Sequence, residues 1–244
     1  MLLAEVGGAG QARLAASRVL VVGAGGLGSP AALYLAAAGI GTLGLLDSDT
    51  VELSNLHRQI LHGVKDLDRP KAHSGQARLE ELNPEIAVVA HPVRLDPTNA
   101  GGLVAAYDVV VEGSDNLGTK LAVNDACVAA GRPLVVGAVT GWDGQLLVVR
   151  PGASPCYRCV VRAEAGADLI PSCATAGILG PVAGVVGSLQ AVEALRLCLG
   201  LPSAAAGRLL LYDGAVAELR AITVRPDPAC PACGNLPSKE RAQG

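Results

Sequence analysis

Short unbroken apolar runs, closed by glycine or an acid, alternate with Ala- and Leu-rich stretches through the first half of the chain. Residues 18–23 form the first such run, with the pattern of a parallel strand buried on both faces. A helix is expected over about 29–38 and a second strand over 42–47. A polar, irregular segment spans 49–68. Residues 71–81 read as a helix stopped by Asn83 and Pro84. Strands are expected over 86–94 and 108–112, the second opening into Gly-Ser-Asp-Asn. A helix over 119–130 then leads into a strand over 133–139. This alternation predicts an α/β fold, a Rossmann-like doubly wound, mostly parallel sheet. Beyond Trp142 the rhythm changes. Residues 144–150, 208–212 and 218–224 read as strands, and a long helix over about 176–199 separates the first from the other two. This half is expected to extend the same sheet with antiparallel strands.

Composition sharpens that picture. Half of the 244 residues are apolar, yet aromatics make up only 2% and Phe is absent, so Ala, Val, Leu and Ile must build the core. The net charge of -3 comes without a long run of one sign, which argues against nonspecific binding to nucleic acid or a membrane surface. Residues 172–192 carry no charge and are long enough to span a bilayer. Pro181, Gln190 and several Gly and Ser favour a buried helix preceded by a loop. The N-terminus has an acid, Glu5, where a secretory signal needs basic residues. Seven cysteines in such a chain point to a reducing compartment and to metal or thiol chemistry. A cytoplasmic location is expected.

Gly23-Ala-Gly25-Gly26-Leu-Gly28 falls between a strand and a helix, where backbone N–H groups and a helix N-terminus meet a phosphate. Asp47 ends the next strand, where an acid accepts hydrogen bonds from a ribose. Alone, these features fit an NAD-dependent oxidoreductase. Asn55, Arg58 and Lys71 tip the balance, because two cations near the phosphates suit a triphosphate attacked at its α-phosphate better than a dinucleotide. Asp115 lies at the end of the fourth strand, in the crevice where such sheets bind ligands. It could hold a hard cation or cap the following helix. No His–Ser or His–Cys pairing is expected near the nucleotide.

Two C-x-x-C pairs, Cys156/Cys159 and Cys230/Cys233, offer four thiolates at the spacing of a closed tetrahedral zinc site. A redox dithiol is the alternative for one such pair. Cys173 lies just ahead of a glycine-rich helix start, a setting that favours thiolate. Cys127 and Cys198 fall in apolar helices and read as inert core residues.

The runs VVGAGGLGS, LLDSDTVELSNLHRQ and GSDN, with CYRC, SLQAVEALR, YDG and the terminal CPACG, closely resemble the MoeB/ThiF family of adenylyltransferases, relatives of ubiquitin-activating enzymes. The likeness covers nearly the whole chain and is nearest to the MoeB type. It implies one adenylation domain over 1–244, with an ATP-binding half (1–140) and a half (141–244) holding antiparallel strands, a zinc site and the carrier-protein surface. By resemblance Gly26, Asp47, Ser54, Asn55, Arg58, Lys71, Asp115 and Asn116 match ATP-contacting positions. Asp47 would hold the ribose, Arg58 and Lys71 the phosphates, and Asp115 Mg²⁺. The family's matching cysteine to Cys173 bonds covalently to the carrier in some members and is dispensable in others. The implied partner is a ubiquitin-like sulfur carrier ending in Gly-Gly, serving molybdopterin, thiamine or thiolated tRNA. A homodimer is also implied, and a separate sulfur donor protein is expected because the chain ends soon after Cys233 with no sulfurtransferase domain of the kind some relatives append. Members usually carry an N-terminal Arg-Tyr-x-Arg-Gln segment whose arginine enters the partner's ATP site. Met1-Leu-Leu-Ala does not match it, so the site is expected to be one arginine short, and an inactive zinc-stabilised binding relative stands as an alternative.

Overall fold

The computed structural model describes residues 3–161 and 177–236. Among these, eight strands form one sheet: β1 (Arg18–Val22), β2 (Thr42–Leu46), β3 (Ala87–His91), β4 (Val109–Glu112), β5 (Leu134–Thr140), β6 (Asp143–Val149), β7 (Arg208–Asp213) and β8 (Glu218–Thr223). Their order is β3-β2-β1-β4-β5-β6-β7-β8. β1 to β5 pair in parallel, and β6, β7 and β8 add antiparallel neighbours. The mixed sheet expected from the sequence is therefore the one that forms.

Apolar runs buried on both faces explain the parallel part. In β1 and β4, Val19, Val21, Val109 and Val111 face one side, while Leu20, Val22 and Val110 face the other. The first side is covered by α1 (Gly7–Ala16), α2 (Gly28–Ala37), α3 (Lys71–Leu82) and α7 (Gly180–Leu199). The second side is covered by α4 (Ala100–Ala105), α5 (Leu117–Ala130) and the cysteine-bearing turn α6 (Tyr157–Val160). Each fully buried Leu or Val contributes about 1.5–3 kcal/mol relative to an exposed one.

Besides the four-residue turn α6, two helices escape the sequence reading. α1 opens Gly-Gly-Ala-Gly, and α4 contains Gly101 and Gly102, so neither has strong helix propensity. Both are held by packing, α4 through buried Ala100 and Val104. α7 begins at Gly180, later than expected, with Leu179 extended as its N-cap and Pro181 in the first turn. It is the one described helix long and apolar enough to cross a membrane. In this fold it lies on the sheet, with Val182, Ala183, Val186, Gln190, Ala191 and Ala194 buried.

The chain runs outward from β1 to β2 and β3, then returns to place β4 on the other side of β1. The loops after β1 and β4 therefore leave in opposite directions and open a crevice.

Candidate functional site

A cavity of about 560 Å³ occupies that crevice. Gly23, Gly25, Gly26, Asp47, Arg58, Lys71, Asp115 and Asn116, all named from the sequence, line it. The two loops meet backbone to backbone. Gly23 has φ +90, and a Cβ there would lie 3.0 Å from the Gly113 carbonyl carbon and the Ser114 nitrogen. No side chain caps the first turn of α2, where the Ser29 N–H already donates to the Gly25 carbonyl at 2.9 Å and Pro30 carries no N–H.

Asp47 accepts from the Ala24 N–H at 2.8 Å and the Asp49 N–H at 2.9 Å. Burial pushes its carboxyl above the usual carboxylate range, against the pull of Lys71 and the two amides. Lys71, at the buried start of α3, donates to Asp49 Oδ2 at 2.9 Å. Arg58 donates from Nη2 to Asn55 Oδ1 at 2.7 Å and from Nη1 to His57 Nε2 at 2.8 Å. Both cations are thus steered before any ligand arrives. Asp115 is an exposed rim carboxylate with no side-chain hydrogen bond among the described residues.

Three residues named from the sequence stand off the cavity wall. Gly28 opens α2, and a Cβ there would sit 1.7 Å from the Gly23 carbonyl oxygen, so its role is close packing. Ser54 and Asn55 both donate to Glu52 Oε2, and Asn55 reaches the site only through Arg58. Helix capping falls to Asn116, whose Oδ1 accepts from the Thr119 N–H at 3.0 Å, and not to Asp115. The expectation that no His–Ser pair lies near the site is overturned. His62 Nδ1 and Ser74 Oγ are 2.9 Å apart, directly behind the glycine loop.

Sequence reasoning also missed the cavity's inner wall. Glu112 ends β4 fully buried and is paired with Lys120 of α5 and with the Ser114 hydroxyl. Lys120 also donates to the Gly137 carbonyl at 2.6 Å and lines the cavity. An acid at the end of an otherwise apolar strand was the available signal. Gln59, next to Arg58, is buried on the cavity wall with its Oε1 unpartnered.

Cys156, Cys159, Cys230 and Cys233 bring their sulfurs within 4.8 Å of one another. Cys156 and Cys230 are 3.6 Å apart, Cys159 and Cys233 3.4 Å. A tetrahedral thiolate shell with metal–sulfur bonds of about 2.3 Å spaces its sulfurs by about 3.8 Å, so this donor set fits a metal ion. Burial pushes the Cys156 thiol up to about 11, and four thiolates at this spacing need a cation between them. Burial likewise raises the Cys127 thiol, and raises Cys198 to about 11, in keeping with inert positions. Cys173 lies outside the described residues.

A profile of the ThiF family matches residues 1–232. The chain belongs to the ThiF family. This ThiF-family chain is 48% identical over 244 residues to the sulfur carrier protein adenylyltransferase of Thermus thermophilus, covering 98% of itself and 90% of that protein. It is 49% identical over 239 residues to the adenylyltransferase and sulfurtransferase MOCS3 of Bos taurus, covering 98% of itself but 52% of that protein. It therefore spans about half the length of MOCS3. The ThiF-family chain also shares its fold with the crystal structure of E. coli MccB with ATP, at a TM-score of 0.82 and 23% identity, covering 92% of this chain and 68% of that one.

Proposed function

We propose that the chain uses ATP to adenylate the C-terminal glycine carboxylate of a small ubiquitin-like sulfur carrier protein. The observation that carries this reading is the convergence of Arg58 and Lys71 with the glycine loop, Asp47 and Asp115 on one cavity at the switch point of the sheet. Similarity to the Thermus thermophilus sulfur carrier protein adenylyltransferase supports the choice of a carrier as acceptor. The nucleotide half is residues 1–140, and residues 141–244 supply the metal site and the surface for the carrier, as parts of one adenylation domain.

A C-terminal carboxylate is ionised at neutral pH and needs no general base. Its oxygen attacks the α-phosphorus. A new carboxyl–phosphorus bond forms as the bond from that phosphorus to the bridging oxygen breaks, and pyrophosphate leaves with the electron pair. Arg58 and Lys71 hold and neutralise the phosphate oxygens, while Asp47 takes the ribose hydroxyls. The backbone of Gly23, Gly25 and Gly26 lets the phosphates approach, and Asn116 shapes the adjoining rim. Asp115 is the residue to hold Mg²⁺, whose chemistry is to offset charge on the triphosphate. The cysteine quartet is suited to structural zinc. Cys173 is proposed as a thiol that attacks the acyl-adenylate, the new carbon–sulfur bond forming as the carbon–oxygen bond to AMP breaks and AMP leaves.

A homodimer is supported by the apolar stripe of Pro181, Gly184, Val185, Ser188, Leu189 and Val192 along the outer face of α7. The cytoplasm is the proposed location. ATP–pyrophosphate exchange with candidate carriers tests the activity. Exchange is expected only when the carrier's C-terminal Gly-Gly is intact, and should fall at least 100-fold in Asp115→Ala and in Arg58→Ala. Tight binding of NADH with no binding of ATP would overturn the reading.

A further inference from the structure

One peptide of the glycine loop is gripped at both of its polar groups. The Ala24 N–H donates to Asp47 Oδ2 at 2.8 Å. The Ala24 carbonyl lies 3.0 Å from His62 Nε2. A carbonyl can only accept, so the ring hydrogen sits on Nε2. In the neutral ring Nδ1 then accepts from the Ser74 hydroxyl, 2.9 Å away. His62 is 8% exposed and Ser74 2%. Neither lines the cavity. Ser74 belongs to α3, the helix that Lys71 opens. A single buried imidazole therefore bridges the loop that cradles phosphate and the helix that carries a phosphate-facing cation.

The charged groups around the ring are Asp47 at the end of β2, Asp66 in the 3₁₀ turn Val64–Asp66, and Lys71 of α3. Burial holds His62 below its usual 6.5, and Lys71 acts in the same direction, while the bond to Ala24 and the two carboxylates oppose them. A ring that merely filled space would need neither hydrogen bond. Here both nitrogens are matched to partners on different elements, which is the arrangement of a strut.

We propose that His62 is a positioning residue. Through the Ala24 carbonyl and Ser74 it fixes the spacing between the glycine loop and Lys71, and so sets affinity for the triphosphate without touching it. The ATP arm of this proposal rests on the nucleotide reading above, whereas the clamp itself is a property of the ligand-free chain.

The test compares His62→Leu, which fills the space without a donor, with His62→Gln, which keeps an N–H, and with Ser74→Ala. Two readouts are taken on the full chain: ATP Kd by calorimetry, and amide hydrogen exchange over residues 23–28 without nucleotide. His62→Leu should weaken ATP binding about tenfold and speed exchange in the loop about tenfold, the size of one buried hydrogen bond. His62→Gln should restore both to within about threefold of the parent, and Ser74→Ala should fall between. The KM for the carrier should move less than twofold. The proposal is overturned if His62→Leu lowers thermal stability while loop exchange and ATP affinity stay at parent values, or if Leu and Gln behave alike. Were the parent to bind no ATP while loop exchange still rose in Leu and recovered in Gln, the nucleotide reading would fall and the clamp would stand. Should His62→Leu fail to fold, His62→Gln against Ser74→Ala decides on the same readouts.

Discussion

Arg58 enters the cavity already tethered, and the tether identifies what Asn55 does. Asn55 does not line the cavity, yet its side-chain oxygen fixes one arm of the guanidinium at 2.7 Å. Asn55→Ala should therefore raise the KM for ATP about fivefold to tenfold through a freer Arg58, well short of the loss in Arg58→Ala. Pyrophosphate exchange against ATP concentration measures both, and equal losses would mean that Asn55 itself meets the nucleotide. The histidines carry a pH prediction. His62 and His91 are both held below 6.5 by burial, so each binds its proton less readily folded than unfolded. Their contribution to stability is complete above pH 6.5 and is lost as pH falls below it toward the lower folded values. Urea melts should show stability declining through that window, and His62→Gln should flatten the decline. Residues whose chemistry is carried by a local run, such as Gly23 to Gly26 or Asn55 to Arg58, could be read from the sequence. His62 and Ser74 could not: 12 positions separate them, and nothing local links a histidine after one turn to a serine inside α3.

Among the elements, the cysteine turn α6 and helix α5 form one unit. Asn124 is fully buried, accepts the Tyr157 N–H at 2.8 Å and donates to Asp125 Oδ1 at 3.0 Å. Arg158 then donates to both Asp125 oxygens, at 2.7 and 2.6 Å. Through α5 this unit reaches Asn116 and the cavity rim, and Tyr157 itself lines the cavity. Asn124→Ala should cost about 2–3 kcal/mol in denaturant melts, because it strands the Tyr157 N–H and leaves a void. Gly28→Ala should cost more and abolish ATP binding, since the new Cβ has backbone oxygen in its place. The strands were readable because unbroken Val and Leu runs admit few other structures. α1 and α4 were not, because glycine-rich segments become helical only when a neighbour gives them a surface to cover.

At the scale of the whole molecule, the α7 stripe and the quartet make opposite kinds of claim. The stripe predicts association: sedimentation should show a dimer, and Val185→Asp with Val192→Asp should give monomers. A parent chain that stays monomeric through the micromolar range would remove that reading. Each close pair in the quartet joins residues 74 positions apart, and ordering a loop of that length costs about 4 kcal/mol. Chelation should accordingly lower the melting temperature more than any single cysteine-adjacent surface change. The reach of α7 across the sheet has a further meaning for how the chain is made. Val111 and Val135, from strands laid down early, are sheltered by a helix that begins only at Gly180. Synthesis therefore passes through a long interval in which β1 to β5 are complete in sequence but β4 and β5 lie open on one greasy face. A fragment ending near residue 150 should precipitate or be degraded rather than fold, and maturation should be a single late event at which the last third of the polypeptide seals the first.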